Sequence, residues 1–211
     1  MIVNKNCVIR LSRYKNALYR LKALGFVKVF SDNLADALGI LPSQVRKDFS
    51  LFGLTGNKRG GYQIEELITK INNILGKNQI QKVIIVGAGN IGTALMKYKG
   101  FEKEGMKIMA CFDTDSTKFN RQAPIPVLPI EELEGFVQGN NIRIGIIAVP
   151  EMAAPQVLDL MLEAGIKGIL NFAPIRLKGT EDCVINNINI ELELENVIYY
   201  VNALEKAGKV L

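Results

Sequence analysis

The sequence lacks histidine and tryptophan, has only three cysteines and contains no long hydrophobic run. Without histidine, the commonest general base and the commonest metal ligand are both missing. Cys7, Cys111 and Cys183 lie far apart with no C-x-x-C pair, which argues against a disulfide framework or a structural zinc site. No apolar run reaches the ~18 residues of a membrane span, and charged residues interrupt the N-terminus where a signal peptide would be apolar. We therefore expect a cytoplasmic protein that binds no metal and does not enter a membrane.

Charge is distributed unevenly along the 211 residues. Residues 1–78 hold 13 Lys and Arg against 5 Asp and Glu, a net charge of +8, whereas residues 79–211 hold 13 against 16, a net charge of −3. With 48% apolar residues, a chain of this length can bury two cores. A basic half joined to a mildly acidic half indicates that the first half meets a polyanion. We predict one domain over 1–78 and a second domain from residue 79.

Apolar residues recur at helical spacing in three segments of the first domain. The spacing predicts helices over 7–24, from Ser31 as N-cap, and over 42–52. A tight turn at Gly39 joins the last two, as in a helix-turn-helix. The N-terminal end of the third helix is polar, and in DNA-binding proteins of this kind that end reaches base edges in the major groove. Its predicted DNA-contacting residues are Ser43, Gln44, Arg46 and Lys47. A solvated basic face is the alternative interpretation.

The stretch LTGNKRGGYQ at 54–63 is short, basic and rich in glycine. Such a loop beyond a recognition helix predicts the wing of a winged helix, with Lys58 and Arg59 placed to lie along the minor groove. From Ile64 to Leu75, apolar residues then recur on one side of a fourth helix, which would close the small core. Together these features favour a winged helix-turn-helix domain that binds DNA.

A β-branched run at 82–86 leads into the G-x-G-x-x-G spacing of a dinucleotide-binding turn. The first glycine permits the tight turn, the second lets the backbone approach a pyrophosphate, and the third lets the next helix pack against the strand. The N–H groups at the start of that helix would face the anion. The predicted contacts are Gly87, Ala88, Gly89, Asn90, Ile91 and Gly92.

Asp113 ends the next apolar strand, 21 residues after Gly92. At about this spacing an acidic side chain binds the ribose hydroxyls of the adenosine. Its charge would repel the 2′-phosphate of NADP(H), and no Arg follows at once, so NAD(H) is the favoured cofactor. The alternative is an Asp that only caps a turn at the end of a strand.

Further strands at 143–150 and 168–172 alternate with helical segments. This alternation predicts an α/β domain, a Rossmann-type parallel sheet with helices on both faces. In such a sheet the ends of the strands, here 148–150 and 171–174, face the cofactor crevice. A last helix from about 192 to 208 carries apolar residues on one side, suited either to covering the sheet or to holding a partner subunit.

The second domain lacks the acid–base groups of most dehydrogenases. It has no histidine and no Tyr followed four residues later by Lys, and about 130 residues leave little room for a substrate domain. We therefore expect a regulator that binds a nicotinamide cofactor, not an enzyme. The alternatives are an NAD-dependent oxidoreductase and a regulator of the same architecture that senses another nucleotide, such as coenzyme A.

Five segments in order are SQVRKDFSLFG, a basic glycine-rich wing ending in GY, VGAGNIG, FDTD and KGILNFAPIRL. Over nearly the whole chain, they make the sequence resemble the Rex family of redox-sensing transcriptional repressors. The resemblance implies a homodimer that binds palindromic operator DNA when free or bound to NAD⁺ and releases it when NADH binds. Genes of fermentation and anaerobic respiration would be the targets. It also implies a domain arrangement of 1–78, 79–191 and a swapped dimerisation helix at 192–211.

The resemblance assigns roles to individual residues as well. Gln44, Arg46 and Lys47 would contact the operator. Tyr98, in the segment KYKGF, would be a switch tyrosine near the nicotinamide. The same pocket would be lined by Phe172, and the strand end with Val149 and Pro150 would also face the cofactor.

Three departures from the family pattern accompany this resemblance. Asn16 stands where the family has an Arg and Asn189 where it has an Asp, and that Arg and Asp take part in the switch with the tyrosine. An amide still forms hydrogen bonds but loses the charge assistance that roughly doubles their strength, so we expect an NADH response that differs in strength or in kind. The wing LTGNKRGGY shifts its basic pair by one position, so we expect operator preference or affinity to differ from that of the family. These departures admit a diverged paralogue as an alternative.

Overall fold

The structure, a computed structural model, describes residues 4–56 and 60–206. It divides into two units, residues 1–79 and residues 80–211. The predicted wing residues Lys58 and Arg59 lie outside the described residues. Across the described ranges, no helix is both long enough and apolar enough to cross a membrane.

The first unit, where described, contains four helices and a two-stranded antiparallel ribbon. In chain order the elements are α1 (Lys5–Ala23), β1 (Lys28–Val29), α2 (Ser31–Leu38), α3 (Pro42–Leu51), β2 (Tyr62–Gln63) and α4 (Ile64–Ile74). Gly39 is the C-cap of α2 with a φ of +64°, a conformation that suits glycine and turns the chain into α3. Pro42 begins α3, where its missing N–H costs no helical hydrogen bond. The predicted helix-turn-helix is therefore present.

The core of the first unit is built on an aromatic centre. Phe49 of α3 packs edge-to-face on Tyr14 of α1 and on Tyr62 of β2, with ring centroids 5.2 and 5.1 Å apart. Around it, α4 buries one apolar side at helical spacing, as the sequence predicts. This packing fixes α3 against the rest of the unit and leaves the opposite side of α3 to solvent.

The second unit is a six-stranded sheet, parallel throughout, with helices between its strands. Its strands are β3 (Gln81–Val86), β4 (Met106–Asp113), β5 (Val127–Pro129), β6 (Ile144–Ile147), β7 (Gly168–Asn171) and β8 (Val184–Asn187). Its helices are α5 (Asn90–Lys97), α6 (Gly100–Lys103), α7 (Leu133–Asn140), α8 (Ala154–Glu163) and α9 (Ile190–Lys206). The strand order is β5-β4-β3-β6-β7-β8, so the chain changes direction between β3 and β6. In sheets of this kind, ligands bind beyond the strand ends at that switch point.

Strand β3 is buried on both faces. Ile84 and Val86 belong to one apolar core, whereas Val83 and Ile85 belong to another, as the alternation of side chains along a strand requires. A nearly all-apolar strand predicts this two-sided burial. The end of β3 is therefore held rigidly where the glycine turn begins.

Several boundaries differ from those predicted, among them those of α2, β6 and α9. Phe30, not Ser31, is the N-cap of α2, because its N–H donates to Asn33 Oδ1 at 2.9 Å and Ser31 already begins the helix. The strand predicted over 143–150 is shorter: it spans Ile144–Ile147 and gives way to the loop 148–150. The last helix begins at Ile190 instead of residue 192, because Asn189 Oδ1 accepts the Leu192 N–H at 3.0 Å and caps it.

Helix α9 buries none of its residues. Its large apolar side chains are 46–68% exposed, and they are Ile190, Leu192, Leu194, Val197, Ile198, Tyr199, Tyr200, Val201 and Leu204. It therefore does not cover the sheet of its own unit, which was one of the two roles considered for it. An apolar surface of this extent on a single helix calls for another surface to cover it.

Candidate nucleotide-binding and DNA-binding sites

The glycine turn connects β3 to α5, and its three glycines have different surroundings. Gly87 has a φ of +103°, and a Cβ there would overlap the Ala148 carbonyl. A Cβ on Gly92 would overlap the Gly87 carbonyl oxygen, so the turn closes only around glycine at both positions. Around Gly89, by contrast, a Cβ would meet nothing within 4 Å. Gly89 is also the N-cap of α5 and has no side chain to cover the first N–H groups of that helix. The turn thus leaves open space where a phosphate could meet a helix N-terminus.

Asp113 lies against this turn at the end of β4. Its Oδ2 accepts the Ala88 N–H at 2.7 Å, and its Oδ1 accepts the Asp115 N–H at 2.9 Å. Lys118 Nζ donates to Oδ2 at 3.1 Å. Burial alone would raise the pKa of Asp113, but the hydrogen bonds from the two N–H groups and from Lys118 outweigh it and lower the pKa below its ordinary value. The site therefore carries a carboxylate at neutral pH.

Lys118 was not among the residues predicted for the site. It follows Asp113 by five residues on a 3-10 turn, Ser116–Lys118, which brings its ammonium back to the strand end. Sequence spacing gave no signal for it, because the return depends on a short irregular turn. The pKa of Lys118 is raised above its ordinary value, chiefly by its hydrogen bond to Asp113.

The ends of β6 and β7 stand beside the glycine turn. Val149 Cγ1 lies 2.9 Å from the place where a Cβ on Gly87 would lie, and Pro150 next to it is exposed. The Phe172 N–H donates to the Ile147 carbonyl at 2.8 Å, which places Phe172 directly after β7 at the same edge. The structure therefore brings the glycine turn, Asp113 and the predicted strand-end residues to one edge of the sheet.

Tyr98 ends α5 and is 60% exposed. Its ring packs edge-to-face on Phe101, with centroids 5.1 Å apart. Phe101 and Phe172 are both partly buried against the same apolar core on that side of the sheet. A Cβ on Gly100 would overlap the Tyr98 ring, so the glycine of KYKGF is what allows the ring to take this position.

Two asparagines absent from the prediction, one buried and one half-buried, hold the loop that follows β7. Asn171 is fully buried, and its Nδ2 donates to the Ile175 carbonyl at 2.8 Å and to Asn187 Oδ1 at 2.9 Å. Asn187 in turn pairs with both the N–H and the carbonyl of Leu177 at 3.0 Å. Residues 172–177 lie beyond the end of β7, and hydrogen bonds between the two side-chain amides and the backbone of this loop hold it in place beside Phe172.

A cavity of about 490 Å³ lies next to this edge, between α5 and the segment 118–127. This volume is within the range of small-molecule sites. Of the residues predicted to bind the cofactor, only Ala88 lines it. The other residues predicted to bind the cofactor do not line this cavity.

Four of the predicted DNA-contacting residues lie together on α3. Ser43, Arg46 and Lys47 are exposed, whereas Gln44 is half-buried. Arg46 Nη1 donates to Ser31 Oγ at 3.2 Å and lies 3.8 Å from an Asp32 carboxylate oxygen, both in α2. These contacts are long and solvent-exposed, so they cost little to exchange for other partners. The N-terminal end of α3 is thus a polar, positively charged face.

Beneath this face lies a buried polar cluster that the sequence analysis missed. Asp48 of α3 is only 1% exposed and accepts hydrogen bonds from Arg10 and Tyr14 of α1 and from Gln44. The apolar spacing of α3 gives no sign of it, because Asp48 is a charged residue on the buried side of the helix. The residues Arg10 and Asp48 are 38 positions apart, and no local pattern reports such a pairing.

The two positions that depart from the family pattern belong to different units. Asn16 is an exposed residue of α1 in the first unit. Asn189 is half-buried in the second unit, where it caps α9. An Asp at position 189 could accept the same N–H, so the cap is compatible with either side chain.

Comparison with known proteins gives matches to both units and to the whole chain. A family model described as "CoA binding domain" matches residues 78–175, and one described as "Putative DNA-binding protein N-terminus" matches residues 3–50. The redox-sensing transcriptional repressor Rex of Desulforamulus reducens is 40% identical over 200 residues, which cover 94% of this chain and 95% of that protein. Its counterpart in Carboxydothermus hydrogenoformans is 39% identical, over 92% of this chain and 94% of that protein.

Solved structures of a Rex-family repressor called RSP match as well. The complex of RSP with β-NAD⁺ and operator DNA is 35% identical, covers 99% of this chain and 97% of that one, and has a TM-score of 0.92. The complex with β-NADH is also 35% identical, covers 99% of each chain and has a TM-score of 0.86. Given the identity and coverage of these relatives, the chain belongs to the Rex family of redox-sensing transcriptional repressors.

Proposed function

We propose that this chain is an NADH/NAD⁺-responsive transcriptional repressor that binds palindromic operator DNA as a homodimer and is released when NADH binds. One observation carries the proposal: a single chain joins a basic helix-turn-helix face to a glycine turn whose backbone is tied to a strand-end carboxylate. The first feature suits a nucleic acid and the second a dinucleotide. Relatives that cover nearly the whole chain are named redox-sensing repressors.

In the first unit, the N-terminal end of α3 enters the major groove. Gln44 and Arg46 suit base edges, because a Gln amide can pair with adenine and a guanidinium with guanine. Ser43 and Lys47 contact phosphates, which supply affinity and register. Lys58 and Arg59, on the wing, extend the contact along the minor groove. The net charge of +8 over residues 1–78 supports this assignment.

In the second unit, NAD(H) lies along the strand ends. The open space at Gly89 and the N–H groups of Asn90 and Ile91 hold the pyrophosphate, while Asp113 accepts hydrogen bonds from the ribose hydroxyls. The nicotinamide end meets Tyr98, Val149, Pro150 and Phe172. RSP has been solved with β-NAD⁺ and with β-NADH, which supports the same cofactors here.

Dimerisation follows from α9, whose apolar side chains need a covering surface. A second copy of the chain, related by a twofold axis, would supply that surface and present two recognition helices to the two halves of a palindrome. The chain would work in the cytoplasm, where both operator DNA and the NAD(H) pool are found.

The regulatory step is a difference in affinity. NADH can shift the dimer away from its DNA-binding arrangement only if it binds another arrangement more tightly. A 100-fold preference at one site supplies about 2.7 kcal/mol, and two coupled sites supply about twice that, enough to change an operator from mostly occupied to mostly free. Asn16 and Asn189, in place of a charged pair, weaken the contribution that side-chain hydrogen bonds make to this preference.

The proposal is tested by titrating operator DNA with the full chain in three conditions: without nucleotide, with saturating NAD⁺ and with saturating NADH. We expect tight binding in the first two conditions and release in the third. Fluorescence anisotropy of labelled operator DNA measures the binding. Equal operator affinity in all three would contradict the sensor function. Failure to bind any DNA in all three would contradict the repressor function itself.

A regulator that senses coenzyme A is the second candidate, because the family model matching residues 78–175 is described as a CoA binding domain. Coenzyme A carries a phosphate on its adenosine ribose, and the Asp113 carboxylate would repel that charge. Titration calorimetry with NADH, followed by displacement with coenzyme A, separates the two. We expect no displacement, whereas displacement at comparable concentrations would favour coenzyme A.

A further inference from the structure

The carboxylate of Asp48 is the centre of the polar cluster beneath the DNA-contacting face. It lies on α3, one turn after Gln44, and is 1% exposed. Its two oxygens accept hydrogen bonds from different sets of donors. Oδ2 accepts from Arg10 Nε at 2.6 Å and from Tyr14 Oη at 2.8 Å. Oδ1 accepts from Arg10 Nη2 and from Gln44 Nε2, both at 2.8 Å.

This arrangement keeps Asp48 ionised and immobile. Burial would raise the pKa of Asp48, but the hydrogen bonds from Arg10, Tyr14 and Gln44 outweigh it and lower the pKa. The Arg10 guanidinium binds both oxygens at once, and such bidentate pairs fix the plane of the carboxylate as well as its position. Because α1 carries both Arg10 and Tyr14, the orientation of Asp48 is set by the core packing of α1 against α3.

The consequence for Gln44 concerns which end of its amide faces inward. A carboxylate oxygen only accepts, so it can face the Nε2 group of Gln44 but not its Oε1. One amide hydrogen is used on Asp48, which leaves the other hydrogen and Oε1 for a ligand. An adenine edge in the major groove presents one acceptor and one donor in fixed order, so an amide that could turn over would match it only half of the time.

We propose that Asp48, clamped by Arg10, is a positioning residue that fixes the Gln44 amide and thereby sets the base preference at one position of each operator half-site. The inference rests on the proposed DNA-binding function and extends it. Asp48 contacts no base; it acts through Gln44. By holding the side chain before DNA arrives, it also removes part of the entropy cost of ordering Gln44 on binding.

The test measures sequence preference instead of affinity alone. The full chain selects from duplexes with a randomised core of about 20 base pairs, the span of two half-sites, and the enriched duplexes are sequenced. Four variants are compared with the wild type: Gln44→Met, Asp48→Asn, the double variant and Tyr14→Phe. Gln44→Met keeps the length of the side chain but removes both the donor and the acceptor of the amide. Asp48→Asn keeps one oxygen, for which Arg10 and Gln44 must compete. Tyr14→Phe is the matched control, because it removes a hydrogen bond to Oδ2 and leaves Oδ1 untouched.

We expect Gln44→Met to lose about tenfold in preference at one base pair of each half-site, the usual discrimination of a good side-chain-to-base pair. Asp48→Asn should lose preference at that same base pair and keep it elsewhere. The double variant should lose no more base preference than Gln44→Met, because Asp48 then has no amide left to position. Tyr14→Phe should keep the full preference even if it lowers the melting temperature.

Several results would overturn the proposal. One is a base preference of Asp48→Asn that equals that of the wild type, and another is a loss of preference in Asp48→Asn that is uniform over all positions. The others are a loss in the double variant equal to the sum of the two single losses, and an unchanged preference in Gln44→Met. A wild-type chain that enriches no sequence would overturn the DNA-binding function along with it, whereas the other results leave that function standing.

A second measurement does not depend on whether Asp48→Asn folds. In the ¹⁵N-labelled wild-type chain without DNA, the side-chain amide of Gln44 should be as rigid as the backbone, with an order parameter of about 0.85. It should remain so in Tyr14→Phe. An amide that is mobile on the nanosecond timescale would contradict positioning by Asp48.

Discussion

Asp113 has a structural role that the hydrogen bonds show and a proposed role in binding the nucleotide. Its two oxygens accept N–H groups from the glycine turn and from the loop after β4, and Lys118 adds an ion pair. A carboxylate oxygen has two lone pairs, so Oδ1, which accepts the Asp115 N–H, has one left for a ribose hydroxyl, whereas Oδ2 already accepts both the Ala88 N–H and Lys118 Nζ. The residue thus ties the turn to the sheet and, in the proposed binding mode, keeps a negative charge at the place where NAD and NADP differ.

Replacing Asp113 should change the choice of nucleotide. We expect Asp113→Ala to weaken NADH binding by about 10- to 100-fold, since hydrogen bonds to a charged group contribute about 1.5–3 kcal/mol. Because Lys118 is left without the carboxylate, the NADH-to-NADPH affinity ratio should fall as well. Calorimetry with both nucleotides measures this, with Asp115→Ala as control because Asp115 bonds mainly to Thr117. An unchanged ratio would remove the role assigned to Asp113.

Asp48 should also contribute to stability in a defined pH range. Its pKa is below the ordinary value of 3.8 in the folded chain and returns to it on unfolding. The contribution is therefore fully present above the ordinary value and is lost as the pH falls through the lowered pKa. We expect Asp48→Asn to lower the free energy of unfolding by about 2 kcal/mol at neutral pH and by progressively less below pH 3.8. Urea unfolding at a series of pH values checks this, and a difference independent of pH would contradict it.

At the scale of elements, the glycine turn separates what packing requires from what a ligand requires. Gly92 must be glycine for the turn to close, whereas Gly89 has open space around it. These two glycines therefore give a matched pair of substitutions in a single turn, one that disturbs the fold and one that disturbs only a ligand.

We expect Gly92→Ala to destabilise the second unit by several kcal/mol and to abolish NADH binding with it, because its Cβ overlaps backbone. Gly89→Ala should leave the melting temperature within a few degrees of the wild type and still weaken NADH binding at least about tenfold, because its Cβ would occupy the space meant for the pyrophosphate. Thermal unfolding and calorimetry give the two quantities. If Gly89→Ala binds NADH normally, the pyrophosphate lies elsewhere.

Helix α9 makes the second prediction at this scale. Val197→Lys combined with Val201→Lys places two charges on its apolar side, and burying them in a dimer would cost several kcal/mol. We expect the dimer to dissociate at micromolar concentration in sedimentation equilibrium. Glu195→Lys, on the opposite side of α9, is the control and should remain dimeric. A dimeric double variant would show that another surface holds the two chains together.

Elements with a strong local signal could be predicted from the sequence, and partners distant in sequence could not. Helix α3, the glycine turn and β4 ending at Asp113 follow from apolar spacing and from glycine at set intervals. The pairing of Arg10 with Asp48 and of Asn171 with Asn187 depends on tertiary packing, so no window of the sequence contains it. The predicted N-cap at Ser31 was wrong because Asn33 satisfies the Phe30 N–H from inside the helix. Lys118 escaped notice because a 3-10 turn has no apolar period.

At the scale of the whole molecule, the two units differ in charge and in the ligand proposed for each. Residues 1–78 carry +8 and residues 79–211 carry −3, so DNA affinity should depend steeply on salt and nucleotide affinity should not. Substitutions in one unit should therefore affect its own ligand and leave the direct affinity for the other ligand alone.

Arg46→Ala and Arg143→Ala test this separation, since both residues are exposed arginines and each belongs to a different unit. We expect Arg46→Ala to weaken operator binding at least about tenfold and to reduce its salt dependence. Arg143→Ala should change neither. Affinity for NADH in the absence of DNA should be the same for both variants and the wild type. Parallel losses of operator and NADH binding in Arg46→Ala would contradict a chain built from two separable modules.

If a second copy of the chain covers α9, as proposed, that arrangement has a genetic consequence. In a cell that makes two versions of the chain, most defective copies would pair with intact ones, so an allele damaged only in α3 would silence normal copies as well as itself. An allele that also lost α9 would be recessive, because its product could no longer reach the healthy chains.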